Sequence, residues 1–134
     1  METDLIISTI NDLHKKANSA LEDKDAANYL SVFDDSLLYT NADQTKLDKQ
    51  AYSNEIEKFF RRTKRIETSQ YRIKSSFEND VFTEKIARKS IIIKPNLLVL
   101  SKKQTIQTEE IFHWKNINGE WKVFAVDIVL EEKY

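Results

Sequence analysis

The chain contains no cysteine, which excludes disulfides, thiolate catalysis and cysteine-ligated metals. It has one glycine, so no glycine-rich loop exists to cradle a phosphate, and nucleotide-dependent chemistry is not expected. It also lacks an excess of either charge, with 21 basic residues against 22 acidic ones and a net charge of -1. Proteins that work on nucleic acid usually carry a basic excess, so no nucleic-acid partner is expected. No apolar run approaches the roughly 18 to 20 residues needed to span a bilayer. The stretch METDLIISTINDLHKK sets acids ahead of a short apolar run, the reverse of a secretory leader. The expectation is a cytoplasmic protein with no membrane partner.

What is present is enough for a folded core. A chain of 134 residues buries roughly two thirds of its unfolded surface, and its 40% hydrophobic and 32% charged residues suit one globular domain over 1–134. Apolar residues at Ile6, Ile10, Leu13, Ala17 and Leu21 define one helical face, with Thr3 as the expected N-cap. Asp25 should cap a short second helix bearing Ala26, Tyr29, Leu30 and Phe33. Asp34-Asp35 should break that pattern ahead of a short strand over 36–40, and a third helix should start at Asp48. Beyond Arg65 the composition turns to threonine, isoleucine, valine and aromatics, which suit a pleated sheet. Long strands are expected near 65–78 and 81–93, joined at Asn79-Asp80, with a break at Pro95-Asn96. The chain should stay extended through Leu97 to Leu100, turn near Lys102-Lys103, and run back from Gln104 to Lys115. Asn118-Gly119 should form the last turn, because both central residues of a type I′ turn need positive φ, with the last strand over Glu120 to Leu130.

Alternation across that turn assigns faces. Thr108, Glu110, Phe112 and Trp114 should share one face with Trp121, Val123, Ala125 and Asp127. Glu109, Ile111 and His113 should share the other with Lys122, Phe124, Val126 and Ile128. Both faces are rich in apolar groups, and the helices can cover only one. A homodimer formed through the sheet is therefore expected.

The order of ALEDKD, YLSVFDDSLLY, a short helix, and a meander closing on NGEWKVFAVDIV resembles the nuclear transport factor 2-like superfamily. The likeness is to its polyketide-cyclase-like branch of small bacterial proteins. It implies an α+β, cystatin-like fold: N-terminal helices packed into a curved, mostly antiparallel sheet that forms a cone with a pocket. Dimers of such domains commonly pair sheet to sheet.

Within that picture Asp127, inside an apolar strand, should lie beside Glu110. Two carboxylates forced together in a low-dielectric pocket raise one pKa and suit acid/base work of the isomerase, dehydratase or cyclase type. Tyr39, Tyr52, Trp114 and Trp121 are the candidate ligand-binding residues, since each joins apolar area to a polar tip. His113 should face away from Asp127, and no metal or cofactor is expected. The expected function is the binding of a small, largely apolar molecule. The alternatives are acid/base catalysis through Asp127 and Glu110, and a non-catalytic interaction or assembly module.

Overall fold

The computed structural model describes residues 2–95 and 101–134. The elements run α1 (Glu2–Asp23), α2 (Ala26–Leu30), β1 (Phe33–Thr40), β2 (Lys46–Asp48), α3 (Lys49–Arg62), β3 (Arg65–Glu78), β4 (Val81–Lys94), β5 (Lys102–Ile117) and β6 (Glu120–Lys133). The strands form one sheet in the order β2-β1-β6-β5-β4-β3, antiparallel throughout except where β1 runs parallel to β6. The fold is α+β, with a curved, open, mostly antiparallel sheet against N-terminal helices.

Local chemistry explains most boundaries. Helix α1 buries Ile6, Ile10, Ala17 and Leu21 of the expected stripe, with His14 and Ala20 beside them, while Leu13 is half-buried. It starts at Glu2, so Thr3 lies in its first turn and is not the cap. It ends where Lys24 takes a left-handed φ of 56° and the Asp25 amide reaches back to the Ala20 carbonyl. Lys24 then donates from Nζ to the Thr63 carbonyl at the far end of α3, tying the two helix ends together. Asp25 and Asp48 cap α2 and α3 by accepting from the Asn28 and Ala51 amides.

The sheet departs from expectation in instructive places. Asp34 and Asp35 lie inside β1, in its irregular stretch, where pairing with β6 jumps between Phe33 and Leu38. Lys102 and Lys103 do not turn; they already pair with Lys94 and Ile93 in the ladder. The expected extension from Leu97 to Leu100 lies outside the described residues.

Both hairpin turns are as read. Asn79 and Asp80 have φ of 54° and 63°, and Asn118 and Gly119 have 54° and 88°. At Gly119 no neighbouring atom would meet an added Cβ, so only the backbone conformation calls for glycine there. Gly119→Ala should therefore cost about 1 kcal/mol in urea denaturation, through strain alone.

Candidate functional site

Strand β4 shows how the interior is built. Phe82, Glu84, Ile86, Arg88 and Ile92 fall on one face by simple alternation, and that face meets the helices. Phe82, Ile86 and Ile92 are apolar and buried, so Glu84 and Arg88 are charges interleaved on a core face. Each needs compensation, because an unpaired buried charge costs several kcal/mol.

Glu84, whose side chain has no exposure, obtains it from three directions. One oxygen accepts from His14 Nε2 of α1 and from Trp114 Nε1 of β5, both at 2.6 Å. The other accepts from Arg72 Nε of β3 at 2.8 Å. Arg72 passes the connection on to Asn11 of α1, at 2.8 Å. Burial pushes the Glu84 carboxyl up, but His14, Arg72 and Trp114 together outweigh it and hold the group below its ordinary value. The His14 ring packs against both Phe112 and Trp114, with ring centroids 5.4 and 5.3 Å away.

Arg88 is served in the same way. Its Nε lies 3.2 Å from both Glu110 oxygens, and Nη1 donates to Asn18 and Thr68 at 2.9 and 3.1 Å. Thr108 adds a hydroxyl donor to Glu110 at 2.6 Å. Close to this pair lie three tyrosines. Tyr39 stacks on Tyr52 at 4.1 Å, and the Tyr29 and Tyr52 hydroxyls meet at 2.7 Å. Burial pushes all three phenols up, and the Glu110 carboxylate adds to the effect, so they are neutral groups at physiological pH.

These positions correct the site drawn from alternation. Glu110 is on the inner face, as expected, but its partner is Arg88 and not Asp127. The register holds from the turn to Val123, which pairs with Trp114. Phe124 is then an extra residue with no opposite number, and this bulge inverts every later assignment. Val126 and Ile128 become core residues, while Ala125 and Asp127 pass to the outer face. Asp127 is 45% exposed at its side chain and sits 3.4 Å from His113 Nε2, the histidine expected to face away from it. His113 Nδ1 lies 3.2 Å from the Thr83 hydroxyl.

The four aromatic candidates do not surround one space. Tyr39 and Tyr52 pack ring on ring, and Trp114 is spent on Glu84. Trp121 lies near the hairpin ends, edge-on to Phe77, beside a groove that also takes in Leu5, Ile6 and Asp80. Tyr39, Tyr52 and Trp114 line none of five surface grooves among the described residues. Two of those grooves cross the outer face of the sheet. One, of about 550 Å³, includes Tyr71, Ala87, Lys89, Glu109, Leu130 and Glu132. The other, of about 470 Å³, includes Thr83, Lys85, Ile111, His113 and Asp127. Among the described residues no group of three or more histidine, aspartate and glutamate side chains is placed to hold a metal. No helix among them is long and apolar enough to cross a membrane.

Glu84, Arg88, Arg72 and His14 escaped the sequence reading. The available signal was the run from Phe82 to Arg88, where opposite charges alternate with core residues at a spacing of two.

No family model matches the chain, and no curated protein matches its sequence. Solved structures do match in fold. A conserved protein of Planctomyces limnophilus is similar at a TM-score of 0.85 with 12% identity, over 100% of both chains. A Novosphingobium aromaticivorans protein named provisionally as a scytalone dehydratase is similar at 0.84 with 12% identity, over 99% of this chain and 91% of its own. A nuclear transport factor 2-like superfamily protein of Salmonella enterica is similar at 0.81 with 9% identity, over 94% and 91%. At such identities the likeness establishes the fold, which is nuclear transport factor 2-like, and nothing about activity.

Two outcomes follow from the geometry. Glu84→Gln should cost about 3 to 5 kcal/mol at neutral pH, because it strips a buried charge network of its anion. The folded carboxyl lies below its ordinary value of 4.5, so its contribution is complete above that pH and fades as pH falls toward the lowered value. Denaturation curves across an acid series should therefore show the gap between wild type and variant closing below pH 4.5. Asp127→Asn, on an exposed pair, should change stability by less than about 0.5 kcal/mol in the same assay.

Proposed function

We propose that the protein is a homodimeric binding module that acts through the outer face of its sheet. Acid/base turnover by Asp127 with Glu110 is not part of this reading, because the two carboxylates lie on opposite faces. A small apolar ligand held between Tyr39, Tyr52 and Trp114 is not part of it either, because those rings are packed against their neighbours.

The observation that carries the reading is the composition of the outer face. Ala87, Ile91, Ile111, Phe124 and Ala125 are only partly buried there, and Tyr71 and Leu130 are 68% and 43% exposed. The helices are already committed to the other side. A partly apolar face of this extent, crossing four strands, is the kind of surface that a second copy covers.

Charge gives the pairing a direction. On this face Lys85 and Lys89 of β4 stand against Glu109 of β5 and Glu132 of β6, while Lys115 and Lys122 carry basic charge onto the hairpin end of β5 and β6. Lys85 already pairs with Glu109 at 3.0 Å, but Lys89 and Glu132 form no ion pair among the described residues. They flank Gln107 in one cross-strand row. A two-fold axis along β5, between two facing sheets, sets Lys89 of each copy over Glu132 of the other.

Light scattering should give the mass of two 15.8 kDa chains at micromolar concentration, and a mass of one chain would overturn the reading. Lys89→Glu should weaken the dimer by about tenfold or more through like-charge contact. Combining it with Glu132→Lys should restore most of that loss, which a merely destabilised fold would not do.

A further inference from the structure

The turns of the β3–β4 and β5–β6 hairpins and the start of helix α1 together border one groove of about 630 Å³. Two of its residues are aromatic. Phe77 pairs with Phe82, and Trp121 pairs with Asn116, two residues on from Trp114. Both rings therefore project from the face that carries the core residues Phe82 and Trp114. They stand at 68° to each other with centroids 6.2 Å apart, as two walls of a corner. Leu5 and Ile6 of α1 line the other side, and Asp80 stands at the turn end.

Charge in this groove has one sign. Asp80 is the one ionisable side chain among the described residues that line it. It is exposed, sits in the β3–β4 turn at a φ of 63°, and forms no ion pair or hydrogen bond among the described residues. The nearest bases along β3, β5 and β6 are engaged elsewhere. Lys74 lines the outer-face groove with Asp127, and Lys115 lies over the Phe124 ring at 4.9 Å. Lys122 donates to the Ser31 carbonyl at 2.6 Å and lies 3.6 Å from Glu120. The other polar groups of the groove are neutral. The Thr9 hydroxyl donates to the Leu5 carbonyl, and the Asn116 side-chain oxygen accepts from the Gly119 amide. The N–H groups of Asn116 and Trp121 carry no charge to balance Asp80.

Three kinds of occupant fit such a surface unequally. A hard metal ion calls for six or more oxygen ligands, and the groove sets one carboxylate among carbon walls. A neutral apolar molecule would cover Asp80 and strip its water with nothing in exchange. An organic ammonium ion suits both parts. The ring faces attract its charge, and its methyl groups fill apolar surface.

We propose that this groove binds a small organic ammonium ion, quaternary or methylated. Its charged head sits in the corner between Trp121 and Phe77, with Asp80 as the counter-charge. The site lies at the end of the inner face, so it does not depend on the outer-face dimer.

The test is an NMR titration with choline, set against dimethylbutanol, the uncharged isostere in which carbon replaces nitrogen. Choline should produce saturable shifts centred on the Trp121 indole N–H and the Asp80 amide. The alcohol should bind about tenfold more weakly or worse. Asp80→Asn should weaken choline about three- to tenfold. It should leave the melting temperature unchanged, because the side chain is exposed and asparagine also accepts a positive φ. Equal binding of the alcohol, shifts confined to other parts of the chain, no saturable shift, or indifference to Asp80→Asn would each overturn the proposal. Ammonium chloride acting as strongly as choline would overturn it too, since a bare charge needs no aromatic wall.

Discussion

One buried carboxylate holds the two layers of this protein in register. Glu84 sits near the start of β4 with no exposure and takes a hydrogen bond from the helix layer, one from the edge strand and one from β5. An anion there would be intolerable alone, so α1 must approach closely enough to bring His14, and β3 must stay close enough to bring Arg72. Apolar packing by itself tolerates small slides of a helix over a sheet. Three directional bonds to one carboxylate do not. Arg88 with Glu110 repeats the device four residues along β4 and adds Asn18 of the same helix. The orientation of α1 is thus set by polar contacts, and the apolar stripe supplies most of the driving force.

The fold was legible because its local signals agree with one another. Helical spacing from Ile6 to Leu21, Asp25 and Asp48 as caps, and two asparagine-led turns with positive φ all point the same way. The site was legible only as far as Val123. Alternation assumes a regular ladder, and nothing in FAVDIV announces that Phe124 has no opposite number. One inserted residue moved Asp127 from the core to the outer face and gave it His113 in place of Glu110. The buried charges on β4 were missed for a different reason. Glutamate and arginine belong by type at the surface, and only the company of Phe82 and Ile86 on the same face says otherwise.

The two faces of the sheet divide the chemistry between them. Inside, every titratable side chain singled out above has its partners, and the tyrosines have given their rings to one another. Outside, Lys89 and Glu132 form no ion pair among the described residues, and Tyr71 and Leu130 are exposed. Groups that are fully satisfied hold a fold together, whereas unsatisfied ones are where affinity for something else can arise.

The parallel pairing of β1 with β6 also governs the order in which the molecule can be made. Leu38 aligns with Ala125 and Thr40 with Asp127, and among the described residues the other strand that β1 pairs with is the short β2. During synthesis the first third of the chain leaves the ribosome with no long strand to join. The β3–β4 and β4–β5 hairpins can form as they emerge, since their contacts are local. β1 and β2 cannot join the rest of the sheet until β6 is released, so completion falls to a pairing between strands far apart in sequence.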